Sequence, residues 1–449
     1  MRPATITSIV IVVAFAIAAP ILLLWTAGYR FDPRTNRLEA TGIIVVDSLP
    51  HGASIAIGEE RQATVTPARI TGLLTREYTM TVSLPGYRDW RQTVSVEAGK
   101  TTFAEKIRLF PDNLPELVLS DPIVALAESP DKTAIAAATV ADGTVEVWTV
   151  DAANGQAALQ SRVTGDAVDS LAWAPDGIAI LLVYEEAGAE KASIVASGSK
   201  TDLNLPGAAI SSIGWSQDDP TKLVAVSRGG GFTRAWIVPT SGATPTVLYK
   251  TTSTAEYALG LPILKDDIAI GTETNATTTA VVTMKPGAAA PETIFTIPGG
   301  PYSGLPSPDG LYAFTNPIRD RISVLDAGTR ATLSEVPGRE TEWSARGASA
   351  MLAWDDVELS LVSGGRDVVT LARIADGIRA AGWLPDATYA LLLTKNDLRA
   401  IEREPQYGIR TTTVIANFTD AVDMAITADS AFVAGTVGTK PGLYRLRLQ

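Results

Sequence analysis

Apolar and polar residues follow three different patterns along the chain. Residues 6–27, ITSIVIVVAFAIAAPILLLWTA, contain no charged side chain. A helix needs about 20 such residues to cross ~30 Å of hydrocarbon, so this run predicts a transmembrane helix. Pro20 bends it mildly, and Trp25 and Tyr29 fall where interfacial aromatic anchors sit. A cleaved signal peptide with AIAA before Pro20 is the alternative reading. The apolar run continues well past that point, whereas secretory apolar cores usually span about 7–15 residues.

Residues 41–110 change to a period of two. Tyr78, Met80 and Val82 alternate with Thr79, Thr81 and Ser83, and Val94 and Val96 alternate with Ser95 and Glu97. The segments GIIVVDS, ASIAIG, QATVTP, EYTMTVSLPGY, RQTVSVEAGK and TTFAEKIRLF are short and are broken by Gly and Pro turns. They predict a small antiparallel β-sandwich. These residues resemble the PEGA domain of bacterial and archaeal surface proteins. Its name motif is written here as Pro50-His51-Gly52-Ala53, with His in place of Glu. Thr66-Pro67 and Pro85-Gly86-Tyr87 follow in the expected order.

The third regime repeats. A turn after a short apolar run recurs as ESPDK with Asp131, APDG with Asp176, SQDD with Asp218, LKDD with Asp266, SPDG with Asp309, SARG with Arg346, LPDA with Asp386 and TADS with Asp429. A spacing of about 43 residues is that of a four-stranded propeller blade. Trp173, Trp215, Trp343 and Trp383 occupy one register position just before the turn, where they are expected to wedge between blades. Pro presets the turn dihedral, Asp bonds the backbone two residues on, and Gly accepts positive φ, so the repeated Pro-Asp reads as turn chemistry. The copies resemble the repeats of the TolB and WD-like propeller families, which implies a β-propeller over roughly residues 115–449.

The array predicts eight blades, or seven if the divergent copy at Arg346 is no true repeat. The last copy ends at LYRLRLQ without an outer strand, and LPELVLS at 114–120 has no blade of its own. That strand is expected to complete the last blade and close the ring. The fold class is therefore mainly β. Its parts are a head at 1–5, a transmembrane helix at 6–27, a linker at 28–40, a PEGA-like sandwich at 41–110 and a propeller at 111–449.

Composition narrows the chemistry. The formal net charge is −12, which argues against nucleic acid as a partner, because phosphate contacts need Lys and Arg. There is no cysteine, which excludes disulfides, thiolate catalysis and Cys-based zinc sites. The single histidine, His51, lies in a turn of the sandwich and reads as a solvated turn residue. No phosphate loop and no G-x-S-x-G elbow is present. The stretch SRGGGF at 227–232 reads as a blade hairpin loop. The pairs Asp218-Asp219, Asp266-Asp267 and Asp355-Asp356 and the glycosylation-like tripeptides at Asn275 and Asn417 single out no site.

Arg2 precedes the helix; Arg30, Arg34 and Arg37 follow it, offset by Asp32 and Glu39. Charge counting alone would keep the body in the cytoplasm, but long domains translocate largely regardless of charge. The expectation is a single-pass protein of the cell membrane, its bulk extracytoplasmic. It is expected to bind or scaffold, with envelope protein or polysaccharide as partner of the propeller. No catalytic, cofactor-binding or metal-binding residue is assigned, and the sequence names no binding residue. The alternative is a hydrolase or lyase of envelope polysaccharide using carboxylates at the propeller channel, which a close pair of them at its mouth would favour.

Overall fold

The structure, a computed structural model, describes residues 3–448 apart from 205–208, 253–255, 265–267, 276, 308, 327, 345–349 and 406–409. The side chains of residues 3–10, 256, 259–264 and 268 are also outside the described set. Asp266, Asp267, Ala276 and Arg346 therefore lie outside the described residues. The chain divides into two compact units. One comprises Met1–Asn113 with Glu404–Thr411, the other Leu114–Arg403 with Thr412–Gln449.

The first unit opens with the helix Pro3–Thr26, in which Pro20 removes one internal hydrogen bond. Among the described residues no helix is long and apolar enough to cross a membrane. Within Pro3–Thr26 the described side chains begin at Ile11, and those of Ile11, Phe15, Leu23 and Trp25 are exposed. The helix ends at Gly28, which has positive φ. The Arg30 guanidinium donates to the Trp25 carbonyl at 2.9 Å, placing a cation on the negative end of the helix dipole.

Residues 28–40, expected as a linker, instead form a hairpin. Tyr29–Asp32 pairs with the start of Arg37–Leu49, with Phe31 opposite Leu38. The turn is fixed by Asp32, whose Oδ1 accepts the Arg34 N–H at 2.8 Å, and by Asn36 at φ 53°.

Arg37–Leu49 continues into the sandwich, where it pairs antiparallel with Ala68–Leu74. It also pairs with Thr101–Arg108, and that pairing is parallel, a departure from the purely antiparallel sandwich expected. The reason is the chain path: Trp90–Ser95 belongs to the second sheet, and the chain crosses back to the first before Thr101. The second sheet has the order Glu60–Val65, Ser54–Ile57, Glu77–Ser83, Trp90–Ser95. The alternation seen in the sequence is realised, with Met80, Val82 and Val94 buried against Ile44, Val46, Ile55 and Ile107.

The second unit contains eight four-stranded antiparallel sheets among the described residues, seven of them consecutive meanders. Their first strands are Ile123–Glu128, Ala167–Trp173, Ala209–Trp215, Glu256–Leu264, Ser303–Pro306, Glu340–Trp343, Ile378–Trp383 and Thr419–Ile426. Consecutive sheets pack on one another, and Thr419–Ile426 packs on Ile123–Glu128, so the series closes with its first strands innermost. Layers of Ala, Val, Ile and Leu from the two middle strands of each sheet form the core between sheets.

Closure is completed from the other end of the unit. Glu116–Leu119 pairs antiparallel with Lys440–Arg447, with Leu119 opposite Leu443 and Leu117 opposite Tyr444. Gly442 lets the two backbones meet, since a Cβ there would collide with the Leu119 carbonyl oxygen. The divergent sixth copy is also a four-stranded sheet, in which Trp343 lies opposite Met351.

The repeated aspartates make the turn bond that the sequence suggests. Asp131, Asp176 and Asp386 accept the N–H two residues on at 3.1, 3.0 and 3.0 Å. In SQDD the bond is made by Asp219, to Thr221, and not by Asp218 as expected. An extra residue before the strand Lys222–Gly229 shifts the role by one position. In the fifth copy the Ser307 hydroxyl accepts the N–H of both Asp309 and Leu311.

Candidate functional site

Four of the repeats share an indole stitch between sheets. Trp173, Trp215, Trp343 and Trp383 donate from Nε1 to the carbonyls of Ala127, Ala172, Leu305 and Glu342, at 3.1, 3.0, 3.0 and 3.3 Å. Each acceptor belongs to the preceding sheet and stands one residue before that sheet's own stitch position. The rings are mostly buried, and the indole N–H is satisfied, as a buried Trp requires.

Four sheets carry a different residue at this register: Glu128 in the first, Ile263 in the fourth, Pro306 in the fifth and Ile426 in the eighth. The first and eighth meet at the seam, where the Glu128 carboxylate accepts the backbone N–H of Ile426. The direction of the stitch is reversed: an acceptor side chain takes a backbone donor instead of an indole donor taking a carbonyl. Lys132, four residues on, forms an ion pair with Glu128. Lys132 stands where Gly177 and Gly310 stand in their copies, and its φ of 60° is in the left-handed region that Gly adopts without cost. Ala387, at the same turn position of the seventh copy, has a φ of 55°, so the left-handed conformation belongs to the turn itself.

The sixth sheet contributes two more carboxylates to the innermost strands. Glu342 is part-buried. Its carboxylate accepts the backbone N–H of Trp383, while the Trp383 indole donates to the Glu342 carbonyl. Gly382 makes room, because a Cβ there would lie 2.6 Å from Glu342 Oε2. Burial pushes the Glu342 carboxyl up to about 7, against the opposing pull of the Lys132 charge and of the Trp383 N–H. Burial in turn lowers the Lys132 ammonium, and Glu342 partly restores it. Glu340 and Asp423 both stand three residues before the stitch position of their sheets. Burial raises Glu340, and the Asp423 carboxylate raises it further. Asp423 is raised by burial, opposed by a 2.7 Å hydrogen bond from the Met424 N–H.

The opposite end of the innermost strands is bulged. Register shifts fall between Ile123 and Ala125, Val168 and Ser170, Ile210 and Ser212, Ile378 and Ala380, and Thr419 and Asp423. The bulges turn Val124, Asp169, Ser211, Arg379 and Val422 outward, and all five are exposed. Val124 and Val422 lie on the adjacent first and eighth sheets and are 47% and 57% exposed. Elsewhere in this unit a cavity of about 250 Å³ is lined by Tyr302, Arg319, Arg321 and Glu335.

Residues noticed in the sequence for chemistry are accounted for otherwise. His51 is exposed and lies 3.2 Å from Asp47. The glycines of SRGGGF form the two-residue hairpin turn Gly230-Gly231, with φ of 59° and 76°, between Lys222–Gly229 and Phe232–Pro239. Asp355 accepts the N–H of Val357 and of Glu358, and Asp356 pairs with Arg339. Among the described residues no group of three or more His, Asp or Glu is placed to hold a metal ion. Sequence reasoning missed Glu128, Lys132, Glu340, Glu342 and Asp423. The signal for the first was present: aligned on the turn, Glu128 stands where four other copies have Trp.

Residues 41–108 match the PEGA domain. The PEGA sandwich and its position in the chain are those the motif Pro50-His51-Gly52-Ala53 suggested. The second unit shares its fold with solved propellers. The crystal structure of Saccharomyces cerevisiae Sqt1 superimposes with a TM-score of 0.53 at 10% identity, covering 75% of this chain and 99% of that one. The Dos1 propeller gives 0.51 at 11% identity, covering 75% and 94%. Sqt1 from Chaetomium thermophilum gives 0.51 at 10% identity, covering 74% and 97%. At such identities the likeness is one of fold. No curated protein matches the sequence.

Proposed function

We propose that the protein is a membrane-anchored, extracytoplasmic binding or scaffold protein of the cell envelope. Helix Pro3–Thr26 is the anchor, the PEGA sandwich follows it, and an eight-bladed propeller engages a partner protein. The uncharged run of residues 6–27 in the sequence supports the anchor, and the PEGA match supports a surface location. The observation that carries the binding reading is how Glu128 and Glu342 are used. Each accepts a backbone N–H of a neighbouring sheet, so these axial carboxylates hold the ring together. What remains presented is the bulged rim with Val124 and Val422, flanked by Asp169 and Arg379, an apolar centre with charged neighbours of the kind protein interfaces use.

One observation favours the hydrolase or lyase reading instead: Glu340 and Asp423 stand at one level, and Asp423 raises the Glu340 carboxyl. Detergent-solubilised full-length protein, tagged and recovered with its partners from its own membranes, separates the two. Val124→Glu/Val422→Glu should abolish partner recovery while Glu340→Gln/Asp423→Asn leaves it intact. Polysaccharide cleavage by the wild type, lost in Glu340→Gln/Asp423→Asn, would establish the enzyme reading in its place.

A further inference from the structure

We infer that the hairpin of Tyr29–Asp32 and residues 37–40 lies in the headgroup layer of the phospholipid bilayer that holds helix Pro3–Thr26. Tyr29, Phe31 and Leu38 face the acyl boundary, and Arg34 and Arg37 donate to lipid phosphates. This rests on the membrane-anchor reading and extends it from the helix to the sandwich.

Three observations lead there. Tyr29 and Phe31 alternate on one face of the hairpin, and Leu38 is the direct partner of Phe31, so the three side chains form one surface. They are 39%, 57% and 53% exposed. Scattered exposed apolar residues need no explanation. A contiguous face of them, directly after an exposed Trp25, has the composition of an aromatic belt at a membrane surface.

The hairpin is also tied to the helix end. The Arg30 guanidinium lies 4.4 Å from the centre of the Trp25 ring and donates to the carbonyls of Trp25 and Tyr29. The hairpin therefore cannot swing far from the point where the helix stops. A four-residue strand spans roughly 13 Å, enough to cross a headgroup layer of about 5–8 Å per leaflet when tilted.

The charges are arranged to match. Asp32 is buried and its Oδ1 accepts the Arg34 N–H, while Glu39 accepts the Thr35 hydroxyl at 2.8 Å. Both carboxylates are thus engaged in the turn, and Arg34 and Arg37 stand exposed at its tip. Phosphate recognition by exposed guanidinium groups also accommodates Arg34 and Arg37 on the side where loop charge rules disfavour them.

The absence of native cysteine makes the test direct. Single cysteines are placed in the full-length protein at Phe15, Phe31, Leu38 and Ile318 and spin-labelled. The protein is reconstituted into vesicles of phosphatidylethanolamine and phosphatidylglycerol, and label depth is read from oxygen against water-soluble relaxant. The label at Phe15 should read deep hydrocarbon and that at Ile318 bulk water. Those at Phe31 and Leu38 should read the headgroup–acyl boundary, about 5–10 Å below the surface, as for other interfacial elements. Arg34→Gln/Arg37→Gln should move the Leu38 label toward water. A deep Phe15 label with Phe31 and Leu38 in bulk water would overturn the inference and leave the anchor standing. A water-exposed Phe15 label would overturn the anchor and the inference with it. An unmoved Leu38 label in the double variant would overturn the phosphate contact.

Discussion

Glu128 accepts a hydrogen bond from the backbone N–H of Ile426, across the seam where the eighth sheet meets the first. The same register position in four other sheets is a tryptophan that reaches back to the preceding sheet. Four junctions between sheets are thus stitched by indoles, and the seam by a carboxylate. A hydrogen bond to a charged acceptor contributes about 1.5–3 kcal/mol. Glu128→Ala should therefore lower stability in urea by that order, and Glu128→Gln, which keeps an acceptor, by clearly less. Equal losses in the two variants would mean the bond does not hold the seam.

The outer part of the seam depends on Gly442. An added methyl there meets the Leu119 carbonyl oxygen, which is backbone and cannot swing aside. Gly442→Ala should displace Glu116–Leu119 and cost several hydrogen bonds at about 0.5–1.5 kcal/mol each. Hydrogen exchange should show the loss concentrated in the strand Lys440–Arg447. Unchanged protection of that strand would contradict the proposed closure.

Glu342 gives the ring a pH dependence whose sign can be stated. Its carboxyl is raised in the fold, to about 7 from an ordinary 4.5. The protonated form is therefore favoured by folding, and this stability is complete below 4.5 and lost as pH rises through about 7. The loss amounts to roughly 3 kcal/mol at most, from 1.36 kcal/mol per pKa unit. Glu342→Gln keeps an acceptor for the Trp383 N–H without the charge. Its melting temperature relative to wild type should rise between pH 4.5 and 8. A difference independent of pH would contradict the raised carboxyl.

Gly382→Ala should disturb the same place by another route. Its methyl would crowd Glu342 Oε2 and Ile426 Cδ1, both ends of flexible side chains that can yield. A modest destabilisation of about 1 kcal/mol is expected, much of it absent when Glu342→Ala is added. Additive effects of the two changes would show that the two residues are not in contact.

Much of this was legible in the sequence for a physical reason. Turn chemistry is local, so Pro-Asp at Asp131, Asp176 and Asp386 announced both the turn and the bond to the second residue on. Period-two alternation at Tyr78–Ser83 marked the sandwich core. What escaped depended on partners distant in sequence. Glu342 matters because Trp383 and Gly382 come from the next sheet, and Glu128 because Ile426 comes from the far end of the array. The hairpin at Tyr29–Asp32 was hidden by its own composition. Three arginines and two acids interrupt the apolar alternation, and Phe31 and Leu38 face outward. Ala68–Leu74 was missed because only Ile70 of its seven residues is buried.

We propose that the propeller stands outside the cytoplasmic membrane, with the N-terminal helix as its anchor. Protease added to intact spheroplasts carrying the full-length protein measures this directly. The account predicts that the second unit is degraded while a cytoplasmic marker survives. Full protection in intact spheroplasts, with degradation only after lysis, would place the propeller on the other side and contradict it.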